Sequence, residues 1–265
     1  MTEHSMTENL TEAVTFDVDG HAAIITINRP QARNAVNGDV ATGIEAGIDR
    51  LEGDDNLWVG IITGVPPVFS AGADLKEINA GNAAKLATER GGFAGITKRE
   101  RSKPIIAAVD GPALAGGTEI VLSCDLVVAS GTARFGIPEV KRSLIAGAGG
   151  LFRLPRRIPF NIAMEAALTG DPFDAETAAR FGLVNELVEP GEALTRALAL
   201  AERISANAPV AVRETRKVVV EAAGADEETG WKLTDKAFGA AVSSEDFSEG
   251  LTAFIEKRRP EWKGR

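Results

Sequence analysis

Residues 104–154 form a glycine-rich, otherwise apolar stretch in which two glutamates each follow directly on a backbone-bending element. Glu119 comes after Gly116-Gly117-Thr118, and Glu139 after Gly136-Ile137-Pro138. This stretch limits the fold more than any other part of the chain. Its run Ile105-Ile106-Ala107-Ala108-Val109 is far below the roughly 18 apolar residues of a membrane span and reads instead as a buried strand. A carboxylate among apolar residues is costly to keep ionised, and two close together drive each other's pKa apart, which suits one acid and one base.

The surrounding pattern alternates. Residues 14–18 and 22–27 read as a hairpin around Asp19-Gly20, a dipeptide suited to the positive φ of a tight turn, and Arg29-Pro30 ends the second strand. Residues 37–51 carry helical spacing in Val40, Ile44, Ile48 and Leu51, and 58–62 read as a strand. A helix near 74–78, strand 105–109, helix 118–124 and strand 126–128 continue the alternation, which predicts an α/β fold with largely buried parallel strands. Beyond residue 160 only 183–188 reads as strand, while 175–179, 192–206, 209–222, 226–238 and 245–256 read as helix. The expected organisation is a core over residues 1–200 and a helical region over 201–265. The weakly patterned segment 78–103, with Gly91-Gly92 and Gly95, is the expected mobile flap.

Composition excludes several chemistries. At 265 residues the chain can bury a substantial core, and 44% apolar with 25% charged residues is ordinary globular usage. The polar, acidic start lacks a signal-peptide pattern, and the single Cys124 excludes an intramolecular disulfide, so a reducing, cytoplasmic setting is expected. Two histidines, His4 and His21, leave little for a Ser-His-Asp triad or a metal site, and base chemistry falls to carboxylates. A net charge of −9 argues against a nucleic-acid binder.

Two glycine turns are candidate anion sites. Phe69-Ser70-Ala71-Gly72-Ala73-Asp74-Leu75 and Ala113-Leu114-Ala115-Gly116-Gly117-Thr118-Glu119 each leave a strand and open a helix, where N–H groups lack intrahelical partners. Two such donors aimed at one carbonyl oxygen are each worth about 3–4 kcal/mol in a transition state that places charge there. Plain structural roles compete: Asp74 as a helix cap, glycine for close packing, Glu139 beside a helix dipole. Gly147-Ala148-Gly149-Gly150 lacks the spacing of a dinucleotide fingerprint, so a nicotinamide cofactor is not expected.

Taken in order, Asn28-Arg29-Pro30, residues 69–74, 103–111, 116–119, Cys124-Asp125, 135–139 and 147–150 resemble the crotonase superfamily, specifically its enoyl-CoA hydratases. The likeness runs on through Leu168-Thr169-Gly170 and Gly182-Leu183-Val184 to residues 254–258. It implies a crotonase fold of repeated ββα turns with a helical C-terminal region that builds homotrimers or homohexamers. It also implies an acyl-CoA substrate, with coenzyme A as part of the substrate and no permanently bound cofactor, and a place in fatty acid metabolism such as β-oxidation. Matched residue by residue, the N–H groups of Ala73 and Gly116 correspond to the oxyanion hole, and Glu119 and Glu139 to the catalytic carboxylates. Ala71, Asp74, Leu75 and Lys76 fall where coenzyme A binds, and Phe254 and Lys257 where a neighbouring subunit reaches the nucleotide.

The implied reaction is reversible addition of water to a trans-2-enoyl-CoA, with Glu119 assigned to the water and Glu139 to the proton at C2. The chain departs from the family pattern at Ala115, where a glycine is usual, at Ala146, where proline is, and at Leu151-Phe152, where Thr-Gln is. The later departures point toward carnitine-type and other less usual acyl groups. A Δ3,Δ2-enoyl-CoA isomerase, which needs one carboxylate, is the nearest alternative. An RNA-associated binding protein is another, argued against by short basic clusters and 5% aromatics. The acyl pocket is expected from 81–98, with Phe93, Ile96, Phe135 and Phe152.

Overall fold

The computed structural model describes residues 7–265, so His4 lies outside the described residues. Strands β1 (Glu8–Asn9), β2 (Val14–Asp19), β3 (Ala22–Ile27) and β4 (Val59–Gly64) come first, then a small hairpin of β5 (Ala87–Thr88) and β6 (Gly92–Phe93). After these come β7 (Ile105–Val109), β8 (Ala113–Leu114), β9 (Leu126–Ser130), β10 (Arg134–Gly136), β11 (Phe173–Asp174) and β12 (Glu186–Val188). One sheet has the order β1-β2-β3-β4-β7-β9-β12, parallel from β3 onward, and a second has the order β11-β10-β8.

The continuous apolar strands have both faces covered. Ile105, Ala107 and Val109 of β7 face one core with Ile62, Val127 and the stripe Val40, Ile44, Ile48 and Leu51 of α1 (Gly38–Gly53). The alternate residues Ile106 and Ala108 join Val59, Ile61 and Val128 in a second core against Ala193, Ala197 and Ala201. Each such isoleucine contributes about 1.5–3 kcal/mol by leaving water, so both layers matter to stability. Asn37 starts α1, its side chain accepting from the Val40 N–H at 3.0 Å.

The remaining helices are α2 (Leu75–Asn79), α3 (Gly116–Ser123), α4 (Gly150–Arg157), α5 (Phe160–Thr169), α6 (Ala175–Arg180), α7 (Ala193–Ser205), α8 (Pro209–Glu221), α9 (Glu227–Val242) and α10 (Glu245–Glu256). Residue 200 falls within α7, the helix that supplies the second core, and α8 to α10 follow with no further strand. Their apolar side chains are largely open: Trp231, Phe238, Phe254 and Ile255 are all exposed.

Two local readings shift. The hairpin loop is Gly20-His21, with Asp19 paired to Ala22, so the positive φ of +55° falls on the first loop residue. His21 is held there by stacking on Trp58 at 3.5 Å. The weakly patterned segment after α2 is anchored rather than loose: Leu86, Ala94 and Ile96 enter the first core, and Arg90 pairs with Asp49 of α1 at 2.6 Å. No described helix is long and apolar enough to cross a membrane.

Candidate active site

The second sheet brings the two glutamates together. β8 and β10 are parallel neighbours, with Leu114 opposite Gly136, so the chain leaves both strands in the same direction. From β8 it turns into α3, whose first turn carries Glu119; from β10 it passes Pro138 into a 3-10 helix, Pro138–Arg142, whose first turn carries Glu139. Thr118 locks the two exits. Its hydroxyl lies 2.7 Å from the Ala113 carbonyl and 2.9 Å from that of Gly136, and it accepts from the Gly136 N–H at 3.0 Å.

The first glycine turn lies on the same ladder. Ser70 bridges Ala113 in parallel, and the Leu114 N–H donates to the Ser70 carbonyl at 3.0 Å. The turns touch through glycine: a Cβ on Gly117 would lie 2.2 Å from the Ser70 oxygen, and one on Gly72 would lie 2.6 Å from the Gly116 nitrogen. Val36 bridges Ala73, donating to the Gly72 carbonyl at 2.8 Å and accepting from the Asp74 N–H at 2.9 Å. That pairing turns the Ala73 N–H to the other edge, while the Gly116 N–H, at the start of α3, has no intrahelical partner.

Ala71, Ala73, Asp74, Leu75, Gly116, Glu119 and Glu139 all line one cavity of about 770 Å³. Lys76, Phe254 and Lys257 do not line it; Phe254 is 85% exposed on α10. Asp74 is tied up structurally, accepting from the Lys76 N–H at 2.9 Å and pairing with Arg29 at 2.6 Å. Burial raises its pKa, but the Arg29 hydrogen bond, the Lys76 N–H and the Arg29 charge outweigh that and hold it below the usual range.

Of the expected acyl-pocket side chains, Phe93 lines this cavity. Ile96 and Phe135 are core residues. Phe152 is 52% exposed, with the Arg153 and Arg156 guanidinium groups against its ring, and it does not line this cavity. Leu144 and Ile145, which follow the Glu139 helix, line the cavity instead.

Glu119 is 3% exposed, and its Oε1 accepts from the N–H groups of Ala148 at 2.7 Å and Gly150 at 2.9 Å. The glycine run that fails as a dinucleotide fingerprint is thus an anion cradle for a carboxylate of the same chain, built where α4 begins. Gly-Gly before a helix was the available signal, though nothing in the local sequence pointed to Glu119 as the anion. Burial raises the Glu119 pKa and the Glu139 charge raises it further, opposed by both N–H donors and by Arg153. Burial likewise raises Glu139, against its own N–H and the Arg142 charge, and its Oε2 is buried with no hydrogen-bond partner.

The two carboxylates differ in their hydrogen-bond surroundings. Glu119 has donors that favour the ionised form, whereas the bare Glu139 oxygen favours the protonated one. Both carboxyls are held above the usual carboxylate range, chiefly by burial, on the wall of one cavity. Among the described residues no group of three or more His, Cys, Asp or Glu is placed to hold a metal ion. Cys124 is a buried core thiol, pushed up to about 12 by burial.

A second cavity of about 980 Å³ lies on the far side of α3, lined by Arg101, Asp125, Arg153, Arg157 and Arg216 among others. It is larger, but neither glutamate opens into it. Its arginines are engaged: Arg101 and Arg216 with Asp125, and Arg157 with the carbonyls of Cys124 and Asp125.

Comparison with known proteins agrees with this geometry. A family model described as enoyl-CoA hydratase/isomerase matches residues 18–265. A mevalonyl-coenzyme A hydratase of Aspergillus fumigatus is 43% identical over 252 residues, covering 92% of this chain and 92% of the relative. A short-chain-enoyl-CoA hydratase of Clostridium acetobutylicum is 39% identical over 253 residues, covering 94% of this chain and 96% of the relative. The crystal structure of an enoyl-CoA hydratase from Mycobacterium tuberculosis superposes with a TM-score of 0.92 at 49% identity, covering 96% of this chain and 99% of that one. With a matching fold and a family model spanning nearly its whole length, the chain belongs to the enoyl-CoA hydratase/isomerase family of the crotonase superfamily.

Proposed function

We propose that this protein is an enoyl-CoA hydratase that adds water reversibly across the double bond of a trans-2-enoyl-CoA, giving a 3-hydroxyacyl-CoA. The observation that carries the reading is that the pair of glutamates lines one cavity together with Ala73 and Gly116. An enoyl thioester becomes electrophilic at C3 when its carbonyl oxygen accepts charge, and the two N–H groups supply that stabilisation. Glu119, ionised, takes a proton from water as its oxygen bonds to C3. Glu139, protonated, delivers the hydrogen to C2. Retention of two carboxylates favours hydration over isomerisation, which needs one.

Coenzyme A is placed along Ala71, Asp74, Leu75 and Lys76, with Phe254 and Lys257 of a neighbouring subunit at the nucleotide. The exposed apolar side chains of α9 and α10 support assembly as a trimer or hexamer. A role in fatty acid metabolism in the cytoplasm completes the reading, with no bound cofactor. The test is loss of conjugated-thioester absorbance on mixing with trans-2-enoyl-CoA substrates of graded length and bulk. Rapid loss with wild type, abolished by Glu119→Gln or Glu139→Gln, is expected. No loss with any substrate, despite coenzyme A binding, sinks the hydratase assignment.

A further inference from the structure

One side chain touches three of the elements that shape the site without lining the glutamate cavity itself. Arg153, half-buried on α4, donates from Nη2 to the Thr97 carbonyl at 2.6 Å. From Nη1 it donates to the Ser123 hydroxyl at 3.1 Å and the Ala148 carbonyl at 3.3 Å. Each partner has a place in the site. Thr97 lines the glutamate cavity beside Phe93 and Lys98. Ser123 lies one helical turn beyond Glu119 and donates to the Glu119 carbonyl at 2.7 Å. The Ala148 N–H is one of the two donors to the Glu119 carboxylate. The guanidinium sits close over the loop: a Cβ on Gly149 would lie 2.5 Å from Arg153 Nη1, so a side chain there would displace it.

We propose that Arg153 is a positioning residue that ties the cavity wall at Thr97 to the loop and helix that hold the Glu119 carboxylate, so that acyl groups pressing on that wall are sensed at Glu119. The inference rests on the hydratase reading, in which Glu119 handles the water. A planar guanidinium suits the task, because two nitrogens fixed in one plane can hold both sides at once, whereas an ammonium is a point donor. The charge adds a second effect in the same direction. Glu119 faces Glu139 from the 3-10 helix and Arg153 from α4, and of these only Arg153 favours its ionised form. Arg153 in turn faces Arg101, Arg156 and Arg157, and burial lowers its pKa.

Two variants separate bridge from charge. Arg153→Lys keeps the charge and loses the bridge. Its expected result is a raised KM with weakened dependence of kcat/KM on acyl length, while the Glu119 carboxyl, followed by ¹³C NMR, titrates near its wild-type pH. Arg153→Met loses both, so the Glu119 titration and the acid limb of kcat move to higher pH, with about tenfold lower kcat below the limb for each unit moved. A folded Arg153→Met protein with wild-type titration, KM and kcat across the acyl series overturns the proposal.

If neither variant folds, ¹⁵N spectra of the wild-type arginine side chains decide. Resolved, slowly rotating Nη signals for Arg153 are expected, and a freely averaged signal overturns the bridge. If wild type hydrates no enoyl thioester, the hydratase reading fails, and the titration and Nη measurements still judge the link between Arg153 and Glu119.

Discussion

Helix α3 has a buried carboxylate at one end and a half-buried one just beyond the other, and the two are held in opposite ways. Glu119, in its first turn, rests on neutral N–H donors beside another carboxylate, and burial wins: its pKa is raised. Asp125, just beyond its last turn, pairs with Arg101 at 2.6 Å and Arg216 at 3.0 Å and accepts from the Ile105 N–H at 2.8 Å. Burial raises Asp125 too, but the two arginines outweigh it and its pKa is lowered. One carboxylate holds its proton more tightly than a free carboxyl does, and the other less tightly. Full cationic pairing outweighs burial at Asp125, whereas two N–H donors and the Arg153 charge do not outweigh it at Glu119.

The largest effect that can break this contrast is on rate. Glu119→Gln keeps an oxygen for the Ala148 and Gly150 N–H groups but cannot take a proton, so hydration is expected to fall by about 10²–10⁴-fold with the fold intact. Steady-state rates beside circular dichroism check it. A loss of under tenfold would move Glu119 to the same structural class as Asp125.

Next in size is stability at the other end. Asp125→Ala leaves Arg101, only 3% exposed, and Arg216 without a counter-charge, at an expected cost of about 3–5 kcal/mol in denaturant unfolding. Activity per folded molecule should persist. The pH dependences run in opposite directions. A lowered Asp125 pKa contributes stability that is present above the unfolded value of 3.8 and lost as pH falls through the folded value, so wild type and Asp125→Ala converge in acid. A raised Glu119 pKa means that the folded protein holds its proton more tightly. The resulting penalty is absent below the unfolded value of 4.5 and grows as pH rises through the folded one. Glu119→Gln should therefore gain on wild type in Tm as pH rises toward neutrality, by less than Asp125→Ala loses. Parallel thermal scans from pH 3 to 8 read both trends.

Much of one end of α3 was legible in the sequence. Two glutamates, each after a bend in an apolar stretch, suggested a carboxylate pair, and the strand-helix alternation implied largely buried parallel strands. What local pattern could not carry was the partner of each charge. The Gly147-Ala148-Gly149-Gly150 loop reaches Glu119 across some thirty residues of sequence, with Ala148 and Gly150 bonded to it at |i−j| of 29 and 31. Arg216 reaches Asp125 over a separation of 91. Such pairs are set by how helices pack on the sheet, and a window of 11–18 residues has no access to them. The hairpin shifted by one residue for a related reason: cross-strand pairing of Asp19 with Ala22 set the loop, and dipeptide preference gave way to it.

The smallest expected effect concerns strain at the start of α3. Ala115, where the family commonly has glycine, sits at φ +53° and ψ −126°, a region suited to glycine, immediately before the Gly116 N–H. Holding a Cβ there costs about 1–3 kcal/mol, while glycine would give the unfolded chain about 0.4–1 kcal/mol more freedom. Ala115→Gly is therefore expected to stabilise the protein by about 1 kcal/mol, read as a shift in denaturation midpoint at unchanged slope. Its effect on hydration rate carries the argument further. Ala115 also lines the cavity, so a rate that falls as stability rises would mean that its methyl group aims the Gly116 N–H at the substrate carbonyl. An unchanged rate would mean that the donor is fixed by the ladder alone, through the Leu114 N–H on Ser70 and the Ala115 N–H on Gly136 at 2.9 Å. The reactive end of α3 would then owe its geometry to backbone pairing, as the Asp125 end owes its own to charge.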